Sequence, residues 1–125
     1  MTVWKSASCG CCGDWVNHMK EAGFQLKVIE TDDVEHYKDM YLVPVRLRSC
    51  HTARIGDYIV EGHVPAKDVK TLLNKKPAII GISVPGMPVG SPGMEMGDRR
   101  DPFPVIGFDA KGTFSLWQSY PEGYR

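Results

Sequence analysis

The sequence predicts an α/β fold in one domain, a central mixed sheet flanked by helices. Three observations carry this. Short apolar runs suited to strands alternate with segments of helical spacing over residues 1–77. A Pro/Gly-rich segment and a second strand pair follow, an extension over about residues 78–119. The length of 125 residues suits a single core.

Thr2 to Lys5 reads as a first strand, followed by a turn at Ser6-Ala7-Ser8. Trp15, Val16, Met19 and Ala22 then recur at helical spacing, and Gly23 stands where a C-terminal cap belongs. Asp14 is placed in the first turn of that helix, where an acid suits the dipole. Phe24 to Glu30 alternates as a strand, and Thr31 is placed to cap a short helix from Asp32 to about Met40. Val43-Pro44 opens a predicted strand over Val45–Ser49, and Tyr58–Val60 forms another after a turn near Ile55-Gly56-Asp57.

Pro65 suits the first position of a helix whose inner face is Val69, Leu72 and Leu73, and Pro77 ends it. Ile79 to Val84 reads as a strand or extended segment. Pro85 to Gly97 holds too many prolines and glycines for regular structure and is expected as a shaped loop. Phe103–Phe108 and Thr113–Trp117 flank Asp109-Ala110-Lys111-Gly112, a hairpin pattern.

The order over the core is strand, helix, strand, helix, strand, strand, helix. A Cys-x-x-Cys at the first strand–helix junction and a proline before the third strand make the plan thioredoxin-like. That plan carries a specific expectation, a cis Val43–Pro44 peptide facing the cysteines. It is a demanding one, since only ~5% of X-Pro bonds in folded proteins are cis.

Fifteen basic residues balance fifteen acidic ones, against the basic excess of a nucleic-acid binder. No apolar run approaches the roughly 20 residues that span a bilayer, so membrane insertion is not expected. The start Met1-Thr2-Val3-Trp4-Lys5 has no secretory pattern. Two locations stay open, the cytoplasm or an exported, mature chain.

Four cysteines remain for chemistry: Cys9, Cys11, Cys12 and Cys50. Three within four positions make a poor structural disulfide framework, which staples distant segments. Cys9 and Cys12 have redox-pair spacing at a helix N-terminus, where free N–H groups favour thiolate. Cys11 is superfluous to a simple dithiol catalyst, in which it would invite scrambled pairing, but serves a soft-metal site as a further ligand. Cys50-His51 follows the Pro44 segment, with Arg46, Arg48 and Arg54 nearby to hold thiolate charge. The competing account is an inert buried thiol beside an ordinary imidazole. His63, in Glu61-Gly62-His63-Val64-Pro65, reads equally as a ligand or as a junction residue bonded to backbone. His18 shares a helix face with Cys11 but is expected to be exposed, and His36 solvated.

Met19 and Met40 fit apolar helix faces and are expected in the core. Met87, Met94 and Met96 instead lie in the Pro/Gly loop, where no periodicity asks for an apolar side chain. Thioether sulfur suits Cu(I) and is a poor ligand for zinc, so Met87 and Met94 tilt the site towards copper. Their alternative role is to fill gaps over the core. Zinc is the second metal, since four cysteines with histidines could form a tetrahedral site, although the usual two-pair spacing is missing.

Taken together, Cys9-Gly-Cys-Cys-Gly-Asp-Trp-Val, His18-Met19, Val43-Pro44, Ser49-Cys-His-Thr-Ala53, Tyr58-Ile-Val-Glu-Gly-His-Val-Pro65 and Val84-Pro-Gly-Met-Pro-Val-Gly-Ser-Pro-Gly-Met-Glu95 resemble the CopG-like copper-resistance proteins. The resemblance implies a thioredoxin-like protein of copper resistance, usually periplasmic and working beside other copper-resistance proteins. It implies that Cys9, Cys11, Cys12 and Cys50 hold copper as a cluster of several ions with histidine help. The functions in play are therefore copper binding and, as the rival, a thiol–disulfide or copper-linked oxidoreductase using Cys9 and Cys12.

Overall fold

A computed structural model describes residues 1–124. The elements are β1 (Thr2–Lys5), α1 (Gly10–Glu21), β2 (Lys27–Glu30), α2 (Val34–Met40), a 3-10 turn (Val45–Leu47), β3 (Thr52–Ile55), β4 (Tyr58–Glu61), α3 (Ala66–Lys75), β5 (Gly81–Ser83), β6 (Phe103–Phe108) and β7 (Phe114–Tyr120). The seven strands form one mixed sheet in the order β2-β1-β3-β4-β5-β6-β7. β1 runs parallel to β2 and antiparallel to β3, and β4 runs parallel to β5. The fold is α/β, and the expected hairpin extension joins the same sheet through β5.

Alternation along β1 decides which helix covers which face. Val3 pairs with Ala53, and Ala53 with Val60, so these side chains share one face. There they form an apolar cluster with Trp15, Val16 and Met19 of α1 and Val69 and Leu72 of α3. Trp4 points the other way and stacks on Tyr37 of α2, with ring centroids 4.9 Å apart. A smaller cluster of Val43, Leu47, Ile59 and Phe108 continues that second face.

Several expectations are corrected. Among the described residues no peptide is cis, so Val43–Pro44 is trans, and Pro44 begins the 3-10 turn by accepting the Leu47 N–H at 2.9 Å. The strand expected over Val45–Ser49 is therefore this turn followed by an extended arm, and pairing starts only at Thr52. The apolar alternation misled because Val45 is 78% exposed and only Leu47 is buried.

β2 begins at Lys27 rather than Phe24. The Gly23 N–H bonds Lys20 O and the Phe24 N–H bonds Met19 O, a Schellman closure of α1 that takes Phe24 out of the strand. Gly23 supplies the positive φ of +100° which that closure needs.

Asp33, not Thr31, stands at the N-cap of α2, and the Thr31 hydroxyl instead accepts the Asp33 N–H. No acid lies in the first turn of α1, because the helix starts at Gly10 and leaves Asp14 beyond it. Met19 is core as expected, but Met40 is 50% exposed, since α2 is short and ends there.

Candidate metal centre

The site forms where α1 begins. Cys9 is the N-cap, and its side chain accepts no capping bond from the helix. Cys9 and Cys12 are joined as a disulfide across the first turn, and Cys11 and Cys50 are free thiols. The extended arm after the 3-10 turn brings Cys50 to this helix end. Ligand atoms of Cys9, Cys11, Cys12 and Cys50 lie within 4.8 Å of one another. A second set, Cys50, His51 and His63, meets the same limit. Cys50 belongs to both.

The contacts are specific. Cys11 Sγ lies 3.5 Å from Cys9 Sγ and 3.7 Å from Met87 Sδ. Cys50 Sγ lies 3.3 Å from His51 Nδ1 and 3.1 Å from His63 Nε2. His63 Nδ1 donates to the Pro92 carbonyl at 2.7 Å, which fixes the neutral tautomer and leaves the Nε2 lone pair facing Cys50. A carbonyl holding the far nitrogen is how proteins orient metal-binding imidazoles.

The imidazole of His51 is fully buried 4.5 Å from the Trp15 indole, and its Nε2 has no hydrogen-bond partner among the described residues. Trp15 in turn donates to Val64 O at 2.9 Å, tying α1 to the junction that carries His63.

Electrostatics keep these groups neutral without a metal. Burial pushes the Cys50 thiol up to about 11, with nearby Cys11 adding to the shift and the Ser49 hydroxyl opposing it. Burial holds His51 well below the ordinary imidazole range, and His63 and Lys38 push it the same way. His63 is also lowered by burial, against the raising effect of its Pro92 bond. Neutral imidazoles are ready ligands, while the thiol must lose its proton when a metal arrives.

The Pro/Gly loop is the lid of this arrangement. Gly93 has φ +91°, and a Cβ there would stand 2.7 Å from Cys11 O and 2.9 Å from His63 Nδ1. Only a glycine lets the loop press so closely on the helix end. Met87 is half exposed above Cys11. Met94 makes no sulfur contact with the cysteines within hydrogen-bonding range among the described residues, and its backbone closes the loop through Gly90 and Ser91. Met96 is exposed.

Other expectations change here. Arg48 does not serve the Cys50 thiol, because it is paired with Glu35 and Asp39. Arg54 bonds Gly56 O and lies over the Tyr41 ring. His18 is half-buried and accepts the Ala66 N–H at 3.1 Å, capping the start of α3. His36 is exposed as expected. Sequence reasoning missed Pro92, whose carbonyl leaves no pattern, and the buried Lys38–Glu61 pair.

The comparisons with known proteins agree with this geometry. Residues 47–94 match the family model described as "Protein of unknown function, DUF411". No curated protein matches. A solved structure described as "Copper resistance protein copG- Form 1" is 44% identical, with 96% of this chain and 95% of that one covered and a TM-score of 0.91. Its "Form 2" counterpart is 43% identical over 96% of each chain, with a TM-score of 0.92. The cysteine–histidine cluster fits a metal site, and with these relatives copper is the metal it fits.

Proposed function

Starting from the chain's membership of the CopG family of copper resistance proteins, we propose that it binds several Cu(I) ions and thereby sequesters copper or passes it on. The observation that carries this reading is the double membership of Cys50 in the sulfur quartet and in the Cys-His-His set. One thiolate shared by two ligand sets is what bridging between metal ions requires. Reduction of the Cys9–Cys12 disulfide supplies the remaining sulfurs. Cys9, Cys11, Cys12 and Cys50 would hold the copper through sulfur, Cys50 shared between the two sets, with His51 and His63 as nitrogen donors.

Met87, beside Cys11 and half exposed, offers a thioether at the mouth. That donor favours Cu(I) over zinc, the second candidate metal. Met94 lies in the same loop and is the weaker ligand. A periplasmic setting beside other copper-resistance proteins goes with this role. The test is anaerobic competition between Cu(I) and Zn(II) for the reduced protein, read by elemental analysis. Retained copper with displaced zinc supports the reading, and preferential zinc retention overturns it.

The Cys9–Cys12 disulfide favours a second reading, a copper-linked dithiol on a thioredoxin-like frame. Closing the disulfide from two thiolates releases two electrons, which two Cu(II) ions accept to become Cu(I). Redox cycling of the disulfide that depends on copper would distinguish this from storage alone.

A further inference from the structure

Glu61 is fully buried at the end of β4, on the face covered by α2. Its Oε2 accepts from Lys38 Nζ of α2 and, at 2.8 Å, from the Ser49 N–H. Its Oε1 accepts the Thr52 hydroxyl at 2.5 Å, and that hydroxyl also accepts from Lys38 Nζ at 2.9 Å. The carboxylate thus grips both ends of the stretch Ser49–Thr52, which presents Cys50 and His51 between them. The Ser49 hydroxyl carries the link onward to Gly86 O, next to Met87.

A buried ion pair is weak evidence of stability by itself, since apolar residues of similar volume often serve as well or better. What apolar residues cannot do is hold the Ser49 N–H and the Thr52 hydroxyl. We infer that Glu61, with Lys38 as its counter-charge, is a positioning residue that fixes the arm so that Cys50 can serve both ligand sets. The inference rests on the copper reading above.

The experiment uses the parent, K38M/E61L, Cys50→Ser and the triple variant, each reduced and loaded anaerobically with Cu(I) against a competing Cu(I) chelator. K38M/E61L should unfold at a lower midpoint than the parent, since the buried Thr52 hydroxyl and the Ser49 N–H lose their acceptor, and the folded variant should hold copper on the order of 10–100-fold more weakly. Adding Cys50→Ser to it should weaken binding no further than Cys50→Ser alone, because both changes remove the same contribution. Parent-like copper binding in K38M/E61L, or independent, additive losses, overturns the inference. If K38M/E61L does not fold, Glu61→Gln is judged by the same comparison.

A copper-free readout separates this inference from the reading on which it rests. In a Cys11→Ser background with the Cys9–Cys12 disulfide intact, Cys50 is the one free thiol. Its alkylation by iodoacetamide should speed up about tenfold or more when the arm is released by K38M/E61L. An unchanged rate contradicts the positioning role even if copper binds. A faster rate in a protein that holds no copper leaves the clamp standing and removes the metal.

Discussion

Cys50 Sγ lies 3.1 Å from His63 Nε2, and the opposite nitrogen of that ring is held by the Pro92 carbonyl. The contact joins two segments, the arm before β3 and the junction after β4, across a backbone bond from the Gly62 N–H to His51 O. It makes Cys50 the centre of the site, although Cys9 and Cys12 carry the recognisable spacing.

Replacing Cys50 by serine should therefore lower copper content and affinity while leaving the fold intact. The affinity loss should exceed the roughly 10–100-fold typical of outer-shell changes, since a ligand itself is removed. Chelator competition on the reduced variant measures it. Unaltered affinity would take Cys50 out of the site.

Cu(I) loading should release protons at neutral pH. The Cys50 thiol, pushed up to about 11 by burial, is protonated at pH 7 and must ionise to bind a metal. Weakly buffered titrations with an indicator should show Cys50→Ser releasing about one proton fewer than the parent. Equal release would mean that Cys50 stays a thiol.

Gly93→Ala should cost about 1–3 kcal/mol, because φ +91° is strained for alanine and the new Cβ meets Cys11 O at 2.7 Å. Relief of that clash lifts the loop from α1 and withdraws both Pro92 and Met87 from the site. Urea denaturation gives the stability change, and weaker copper binding should accompany it.

The copper-free protein should lose stability as the pH falls from about 7 to 5. His51 and His63 are buried and lowered, so between their folded values and the unfolded value of about 6.5 the unfolded chain binds more protons. Their contribution is complete above about pH 6.5 and is lost below it, at up to about 1.4 kcal/mol per pH unit for each histidine. Asp68 and Glu61 are raised by burial, so their own titration opposes this trend. Urea midpoints at several pH values measure the slope, and His51→Gln should flatten it.

Much of this was legible in the sequence because local signals and tertiary demands agreed. Gly23 ended α1, Pro77 followed α3, and Asp109 to Gly112 turned the last hairpin. Local reading failed where tertiary contacts chose between two states of one pattern. Val45–Leu47 alternates like a strand, yet Pro44 and Leu47 close a turn across it. Arg48 stood near Cys50 in sequence but is held by Glu35 and Asp39. The cysteine cluster announced itself because soft ligands gathered without structural need. The Pro92 carbonyl could not, since any residue has one, and Lys38 gave no sign that its ammonium would be buried.

The most direct test is copper per chain in the anaerobically reduced protein, beside its Cys11→Ser variant. The account predicts more than one tightly held copper in the parent and a clear loss in the variant, because Cys11 belongs to the sulfur set and contacts Met87. No retained copper in the parent, with a Cys9–Cys12 disulfide that cycles equally well in Cys11→Ser, would contradict it and leave a simple dithiol.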